Sequence, residues 1–263
     1  MIFDTHAHYD DESYDTDREE LIRSLPDNGV GTVVNISATV ASCYDTLELT
    51  QKYEHVYGAL GVHPEGLCDI DDETLDKIRE LCIGNSIKNG GKIVAVGEIG
   101  LDYSYDVINK ELQHKWFKAQ LRMASEVKLP VVIHSRDAAQ DTYDIMKSME
   151  CDRIGGIVHC YSYSKEMAER FLDMGFYIGI GGVLTFKNAR KLVEVCEFLP
   201  MDRIVLETDC PYLSPVPFRG ERNDSTRIRY VAQKLSEIKG IPESEVIKIT
   251  EENANRVYGI CRH

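Results

Sequence analysis

Ile2-Phe3-Asp4-Thr5-His6-Ala7-His8, at the start of the chain, is a short apolar run that leads directly into a His-x-His pair. Alternate side chains of a β-strand point to the same face, so a strand that persists to its end presents both imidazoles to one site. Two neutral imidazoles presented in parallel form half of a metal site. A lone His-x-His also occurs by chance, and the interpretation depends on whether later segments repeat the design.

Seven further runs rich in β-branched and apolar residues follow, each ahead of an amphipathic stretch. The eight runs cover residues 2–4, 32–36, 56–62, 93–96, 131–133, 154–158, 177–180 and 204–206. Nearly continuous apolar character is expected of parallel strands that are covered on both faces. Between the runs, apolar residues recur at helical spacing, most clearly over 109–128 and also over 44–53. Two more helices are expected near 226–239 and 243–258.

Eight strands that are each followed by a helix predict an α/β fold, a (β/α)8 TIM barrel with additional C-terminal helices. We expect a single domain over residues 1–263, because no long linker or low-complexity segment interrupts the pattern. The alternative is an open, doubly wound sheet, which the count of eight and the absence of a Gly-x-Gly-x-x-Gly turn disfavour. A barrel would bring the carboxyl ends of all eight strands to one mouth.

The bulk composition limits the kinds of partner. The net charge of −14 argues against a broad basic surface that grips duplex DNA through many phosphates, although a local nucleic-acid site remains compatible with it. The eight cysteines are irregularly spaced without a Cys-x-x-Cys pair, which indicates reduced thiols and a cytoplasmic protein. No apolar run reaches the roughly 18 residues of a membrane span, and no secretory signal is recognisable.

Residues of metal-ligand type stand where the apolar runs stop. They are His6, His8, His63, Glu98, His134, His159 and Asp209. Each alone could be a surface residue or a cap, but a barrel would crowd them together, and bound cations would relieve the cost of burying them. Four imidazoles and two carboxylates exceed the needs of one tetrahedral ion, which favours two divalent ions with Glu98 able to bridge them. Nitrogen and oxygen ligands suit Zn, Mn, Co or Ni better than Mg, whose presence stays open.

Two neighbours of these residues have less certain roles. Cys160 follows His159, and if both belong to a strand the thiol points to the opposite face, so we expect it to pack in the core. Glu207 precedes Asp209 by two residues and could ligate a metal, support a ligand or only pack.

Taken together, these segments resemble the TatD family of metal-dependent deoxyribonucleases, which belongs to the amidohydrolase-like barrels. The matching motifs lie at 4–8, 61–64, 96–103, 132–136, 159–162, 185–187, 206–213 and 253–259. The resemblance implies that His6, His8, Glu98 and Asp209 hold one metal, and that Glu98, His134 and His159 hold the other. It further implies that His63 and Arg136 lie near the phosphate, with Arg219 and Asn223 in a loop beside the site. Tyr163 and the pair Asp224-Ser225 depart from the family pattern, and they touch loops that set substrate preference.

The function that the resemblance implies is metal-dependent phosphodiester hydrolysis that trims single-stranded DNA ends from 3′ to 5′ with a metal-bound hydroxide. Asp209 and Glu98 are then the catalytic residues, with Asp209 orienting or deprotonating the nucleophile. Alternatives are a hydrolase of the same fold that acts on an amide or aminoacyl ester, for example on tRNA, and an inactive metal-binding scaffold. DNA is the expected partner, no membrane is expected, and the sequence does not indicate an oligomeric state.

Overall fold

The computed structural model describes residues 1–104 and 109–260. It contains one sheet of eight strands in the order of the chain, each hydrogen-bonded in parallel to the next. The strands are β1 Ile2–Ala7, β2 Val30–Ile36, β3 Val56–Leu60, β4 Ile93–Asp102, β5 Val131–Arg136, β6 Gly156–Val158, β7 Tyr177–Ile180 and β8 Ile204–Leu206. This topology confirms the predicted (β/α)8 barrel.

In the described ranges a helix follows each strand, and two helices follow the last strand, β8. The helices are α1 Arg18–Ser24, α2 Val40–Lys52, α3 Asp72–Asn85, α4 Lys110–Val127, α5 Ala139–Ser148, α6 Lys165–Asp173, α7 Arg190–Phe198, α8 Ile228–Lys239 and α9 Glu243–Tyr258. The two helices expected after β8 are therefore present, and α9 is additional to the eight-fold repeat. None of the described helices is long and apolar enough to cross a membrane.

Closure of the barrel brings the last strand back to the first. Ala7 forms a parallel bridge with Cys210, the His8 N–H donates to the Cys210 carbonyl at 2.8 Å, and the Asp209 N–H donates to the His6 carbonyl at 2.9 Å. The backbone at both predicted metal-ligand positions on β1 is thus paired with the segment that follows β8. This pairing fixes His6, His8 and Asp209 relative to one another before any side chain is considered.

β1 and β4 are buried along their whole length. This is expected of parallel strands that lie between a packed interior and a layer of helices. β1 reaches Ala7, so His6 lies in the strand and His8 follows it. β4 continues to Asp102, well beyond the apolar run at 93–96, and its register with β5 shifts between Val96 and Ile99. Glu98 therefore lies within a strand, and polar residues continue β4 because the barrel interior accommodates them.

Some helix ends differ from the sequence-based ranges because side-chain caps decide them. α2 begins at Val40 instead of near Tyr44, since Thr39 and Ser42 form a reciprocal capping box. The extent of the single domain stays a prediction, and Cys261 and His263 lie outside the described residues.

Candidate metal centre

Six predicted ligands converge at the carboxyl-terminal mouth of the barrel. They are His6 and His8 from the end of β1, Glu98 from β4, His134 from β5, His159 just after β6 and Asp209 just after β8. Each ligand belongs to, or comes just after, a strand that an apolar run forms. The register of the sheet therefore directs these side chains into one space.

Glu98 lies at the centre of this cluster with its two carboxylate oxygens facing different pairs of imidazoles. Oε1 is 2.7 Å from His134 Nδ1 and 2.8 Å from His159 Nε2. Oε2 is 3.4 Å from His6 Nε2 and 4.0 Å from His8 Nε2. The carboxylate therefore divides the four histidines into two groups, one on each oxygen.

Asp209 completes the group around Glu98 Oε2. Its Oδ1 is 3.4 Å from His8 Nε2 and 3.6 Å from His6 Nε2. His8 Nδ1 lies 2.8 Å from the Ile36 carbonyl, which accepts a hydrogen bond from it. That bond fixes the proton of a neutral His8 on Nδ1 and leaves the Nε2 lone pair directed at the cluster.

His134 is held from its other side by Asp102. Its Nε2 lies 3.0 Å from Asp102 Oδ2 while its Nδ1 faces Glu98. A histidine whose second nitrogen donates to a carboxylate is the usual arrangement around a ligating imidazole. From the sequence, Asp102 was expected either to pack or to hydrogen-bond near the site, and its contact with His134 shows the hydrogen bond. Its even spacing from Glu98 along β4 places both side chains on one face of the strand.

His159 has a second carboxylate behind it, that of Glu207. Glu207 Oε1 is 3.6 Å from His159 Nδ1 and accepts a hydrogen bond from the Cys160 N–H. Glu207 is fully buried, and neither its Oε2 nor His159 Nδ1 has a hydrogen-bond partner among the described residues. The expected reason for packing Cys160 in the core was wrong, because β6 ends at Val158 and Cys160 is half-buried in a left-handed conformation with φ 44°.

The charges of the cluster depend on one another. Burial opposes ionisation of Glu98, but His159 and His6 outweigh it and hold the pKa of this carboxyl well below its usual range. Burial likewise opposes protonation of His8, yet Asp209 and Glu98 raise the pKa of that imidazole to about 9. In the described part of the chain, no Lys or Arg side chain forms an ion pair with the carboxylates of this cluster. The imidazoles alone supply its positive charge.

This donor set fits divalent metal ions. His6 Nε2 and His8 Nε2 are 3.1 Å apart, so one hydrogen at most lies between two nitrogens that both face Glu98 and Asp209. His6 Nδ1 is buried, and no described residue forms a hydrogen bond with it. A cation among these atoms would replace shared protons and satisfy lone pairs that now face one another. His6, His8 and Asp209 form one such ligand group, and His6, Glu98 and His159 form another.

His63 and Arg136 line the mouth beside the cluster. The His63 ring meets the His134 ring edge to face with centroids 4.3 Å apart, and its Nδ1 accepts a hydrogen bond from the Glu65 N–H at 3.1 Å. Burial, together with His134, lowers the pKa of His63 to about 3, so the ring is neutral and carries its proton on Nε2. Arg136 ends β5 two residues after His134, on the same face of the strand, and its side chain is exposed.

The loop after β8 contains the other two predicted substrate contacts. The Arg219 guanidinium is exposed and lies 4.5 Å from the centroid of the Phe186 ring. Asn223 is fully buried, and its amide donates to the carbonyls of Thr208 at 3.0 Å and Tyr212 at 2.8 Å. Both amide hydrogens thus hold the loop, and a direct substrate contact by Asn223 stays a prediction.

The two departures from the family pattern have structural partners here. The Tyr163 hydroxyl lies 2.9 Å from Ser135 Oγ and accepts from the Ala138 N–H. Ser225 donates to Asp4 at 2.6 Å beneath the cluster and accepts from the Tyr9 hydroxyl at 2.8 Å. Both residues support the strands and loops that carry the site.

Comparisons with known proteins agree with the fold and with the cluster. The family described as TatD related DNase matches residues 3–259. The Bacillus subtilis (strain 168) protein named "Uncharacterized metal-dependent hydrolase YabD" is 41% identical over 260 residues, which cover 99% of this chain and 100% of the relative. The crystal structure of the TatD homologue YJJV from Escherichia coli K12 superposes with a TM-score of 0.92 at 31% identity, covering 99% of this chain and 98% of that one. The chain therefore belongs to the TatD family of metal-dependent hydrolases.

Proposed function

We propose that this protein hydrolyses phosphodiester bonds at single-stranded DNA ends, from 3′ to 5′, with two divalent ions in the cluster around Glu98. The observation that carries the proposal is the division of the imidazoles between the two Glu98 oxygens. His6, His8 and Asp209 would hold one ion, His134 and His159 the other, and Glu98 would belong to both. When bound, such ions polarise a phosphoryl oxygen and lower the pKa of water towards neutrality.

Asp209 is the base in this proposal. Its Oδ1 faces His6 and His8, while the side chain keeps 17% of its surface exposed to the mouth. The carboxylate orients the attacking water and accepts its proton. Burial opposes ionisation of Asp209, but the neighbouring His8 lowers the pKa of this carboxyl, so the base is ionised and ready at neutral pH.

In this proposal the phosphate contacts His63, Arg136 and Arg219. His63 donates from Nε2 to a phosphoryl oxygen, since Nδ1 is occupied by the Glu65 N–H. Arg136 and Arg219 are exposed and neutralise charge that develops on the phosphoryl oxygens. In this arrangement the phosphate contacts only hydrogen-bond donors, and the attacking water contacts a carboxylate.

The charge of the rest of the molecule favours binding of a single-stranded end over binding of a long duplex. A net charge of −14 leaves few phosphate contacts outside the mouth. We place the activity in the cytoplasm, because the seven cysteines of the described ranges are free thiols.

The test is digestion of end-labelled single-stranded DNA with Mg or Mn, by the wild type and by Asp209→Asn. We expect shortening from the 3′ end and a loss of rate of roughly 100-fold or more in the variant. Asp202→Asn is the matched control, since Asp202 is exposed and precedes β8 at the other end of the barrel. It should digest DNA at the wild-type rate.

Three outcomes would contradict the proposal. Equal rates in wild type and Asp209→Asn would mean that the cleavage does not come from this site. Digestion from the 5′ end would overturn the polarity. Retention of metal with no DNA cleavage, together with turnover of an amide or aminoacyl ester, would assign the site to the alternative hydrolase.

A further inference from the structure

Tyr212 exposes a large aromatic surface next to the candidate metal centre. Its side chain is among the most exposed large hydrophobic ones in the described residues, at 55%. The ring centroid lies 6.3 Å from that of His8, with the two planes at 62°. An aromatic ring of this size usually loses more of its surface to packing, so its exposure beside a site suggests a ligand.

The ring is held in place by polar contacts. The Tyr212 N–H donates to the Asp209 carbonyl at 2.9 Å, and the Tyr212 carbonyl accepts from Asn223 at 2.8 Å. The Tyr212 hydroxyl donates to Asp11 Oδ2 at 2.9 Å, across to the loop after β1. Both ends of the residue are thus anchored while 55% of its surface stays exposed. A fixed ring loses little conformational freedom when a second ring stacks on it.

The surroundings of the ring favour a neutral group over a phosphate. The Asp11 carboxylate lies at the hydroxyl end of the ring and would repel a phosphate there. Leu213 and Val216 extend the apolar surface along the same loop, with 36% and 41% of their surfaces exposed. A flat aromatic ligand with no charge of its own fits this position, and a nucleobase has that character.

We propose that Tyr212 is the stacking platform for the nucleobase of the nucleotide next to the scissile phosphate. This inference rests on the proposed action on DNA ends and adds a positioning residue to it. Stacking places the base against Tyr212 while the phosphate reaches the metal centre, so Tyr212 acts on substrate binding and leaves the chemistry to the cluster. Because every base has a flat aromatic face, the platform accepts all four bases.

The experiment compares Tyr212→Leu and Tyr212→Phe with the wild type on two oligonucleotides, one normal and one with abasic sugars in both of its 3′-terminal nucleotides. Tyr44→Leu is the matched control, since Tyr44 is 50% exposed on α2 in the outer layer of the barrel. Leu should raise KM for the normal end about tenfold with kcat nearly unchanged, and it should leave KM for the abasic end unchanged. Phe keeps the ring and should retain most of the affinity.

A second readout does not depend on cleavage. An oligonucleotide with 2-aminopurine at either of its two 3′-terminal positions, and a methylphosphonate as its last linkage, is titrated with metal-loaded protein. Stacking should quench the fluorescence with the wild type and with Tyr212→Phe, and not with Tyr212→Leu. Quenching without cleavage of the normal oligonucleotide would keep the platform and reject the proposed hydrolysis.

The opposite pattern separates the two ideas in the other direction. If DNA is trimmed but Tyr212→Leu changes KM for normal and abasic ends equally, or changes neither, the stacking role is wrong and the proposed hydrolysis stands. Absence of quenching in the wild type, or quenching that survives in Tyr212→Leu, overturns the platform as well.

Discussion

The position of Glu207 behind the cluster depends on the space that a glycine leaves on a neighbouring strand. The carboxylate lies fully buried between His159 Nδ1 and the Cys160 N–H. Gly179 of β7 faces it, and a Cβ at that position would overlap Glu207 Oε2. The glycine thus makes room for the carboxylate behind His159, which explains a small residue in an otherwise tightly packed strand.

We predict that Gly179→Ala weakens metal binding by about 10-fold to 100-fold, because the displaced Glu207 no longer orients His159. Calorimetric titration with Mn or Zn measures the effect, and Glu207→Gln should weaken binding in the same direction. Gly84→Ala is the control, since nothing lies within 4 Å of a Cβ there and the residue is in α3. Unchanged metal affinity in Gly179→Ala would show that Glu207 only packs.

At the level of residues, the sequence indicated which side chains would gather, because strand ends in a barrel share one mouth. It left the role of Glu207 open, since a glycine on another strand decides where the carboxylate fits. It also left open whether Asp102 packs or hydrogen-bonds near the site, because the apolar run stops at 96 while hydrogen bonding continues β4 to Asp102. Contacts between strands are set by register, which no single run of residues displays.

Helix α9 joins the two ends of the barrel. The Asn253 amide donates to the carbonyls of Met201 and Ile204, each at 2.8 Å, and the Tyr258 hydroxyl donates to the Thr5 carbonyl at 2.9 Å. One helix therefore holds the start of β8 and the middle of β1. This gives a structural reason for the 253–259 motif, which lies far from the metal centre in sequence.

Asn253→Ala should lower the free energy of unfolding by about 2 kcal/mol, because two buried carbonyls lose their donor. Urea denaturation followed by circular dichroism measures the change. Glu252→Gln, one residue earlier on the exposed side of α9, should change stability by less than about 0.5 kcal/mol. A similar small effect in both variants would mean that α9 does not hold β8 through Asn253.

The bounds of a helix were predictable where its apolar residues recur at clear helical spacing. They were less predictable where a capping side chain determines the end of the helix. The range of α9 matches its sequence-based range at both ends, where Pro242 precedes the helix and Gly259 follows it in a left-handed conformation with φ 67°. The start of α2 was misjudged, since the Thr39 and Ser42 cap adds four residues before the apolar stripe begins.

At the scale of the whole molecule, the barrel places several carboxylates and five histidines at one mouth without a Lys or Arg partner in the described ranges. Metal binding should therefore stabilise the fold. We predict that Mn or Zn at about 100 times its dissociation constant adds about 2.7 kcal/mol and raises Tm by about 5 °C. Differential scanning calorimetry measures the shift, and a chelator should reverse it.

Asp209→Asn provides the comparison for this measurement. Loss of one ligand should reduce the shift in Tm while the metal-free Tm remains close to that of the wild type. An equal shift in both proteins would place the stabilising ion elsewhere on the molecule.

The eight-strand count and the carboxyl-end site followed from the sequence because they depend on pattern and topology. The substrate did not, since it depends on exposed residues such as Tyr212 and Arg219, whose neighbours come from other loops. An exposed tyrosine in a sequence looks like any other surface residue until its anchors are known.

The most direct test of the account is the metal content of the purified chain, measured by elemental analysis after loading with Mn or Zn and removal of the free ion. We predict two ions per chain for the wild type. Glu98→Gln, which keeps the shape of the side chain but removes the charge that both groups of imidazoles share, should retain fewer than two. A wild-type chain that retains no ion, or a variant that retains both, would contradict the central place given to Glu98.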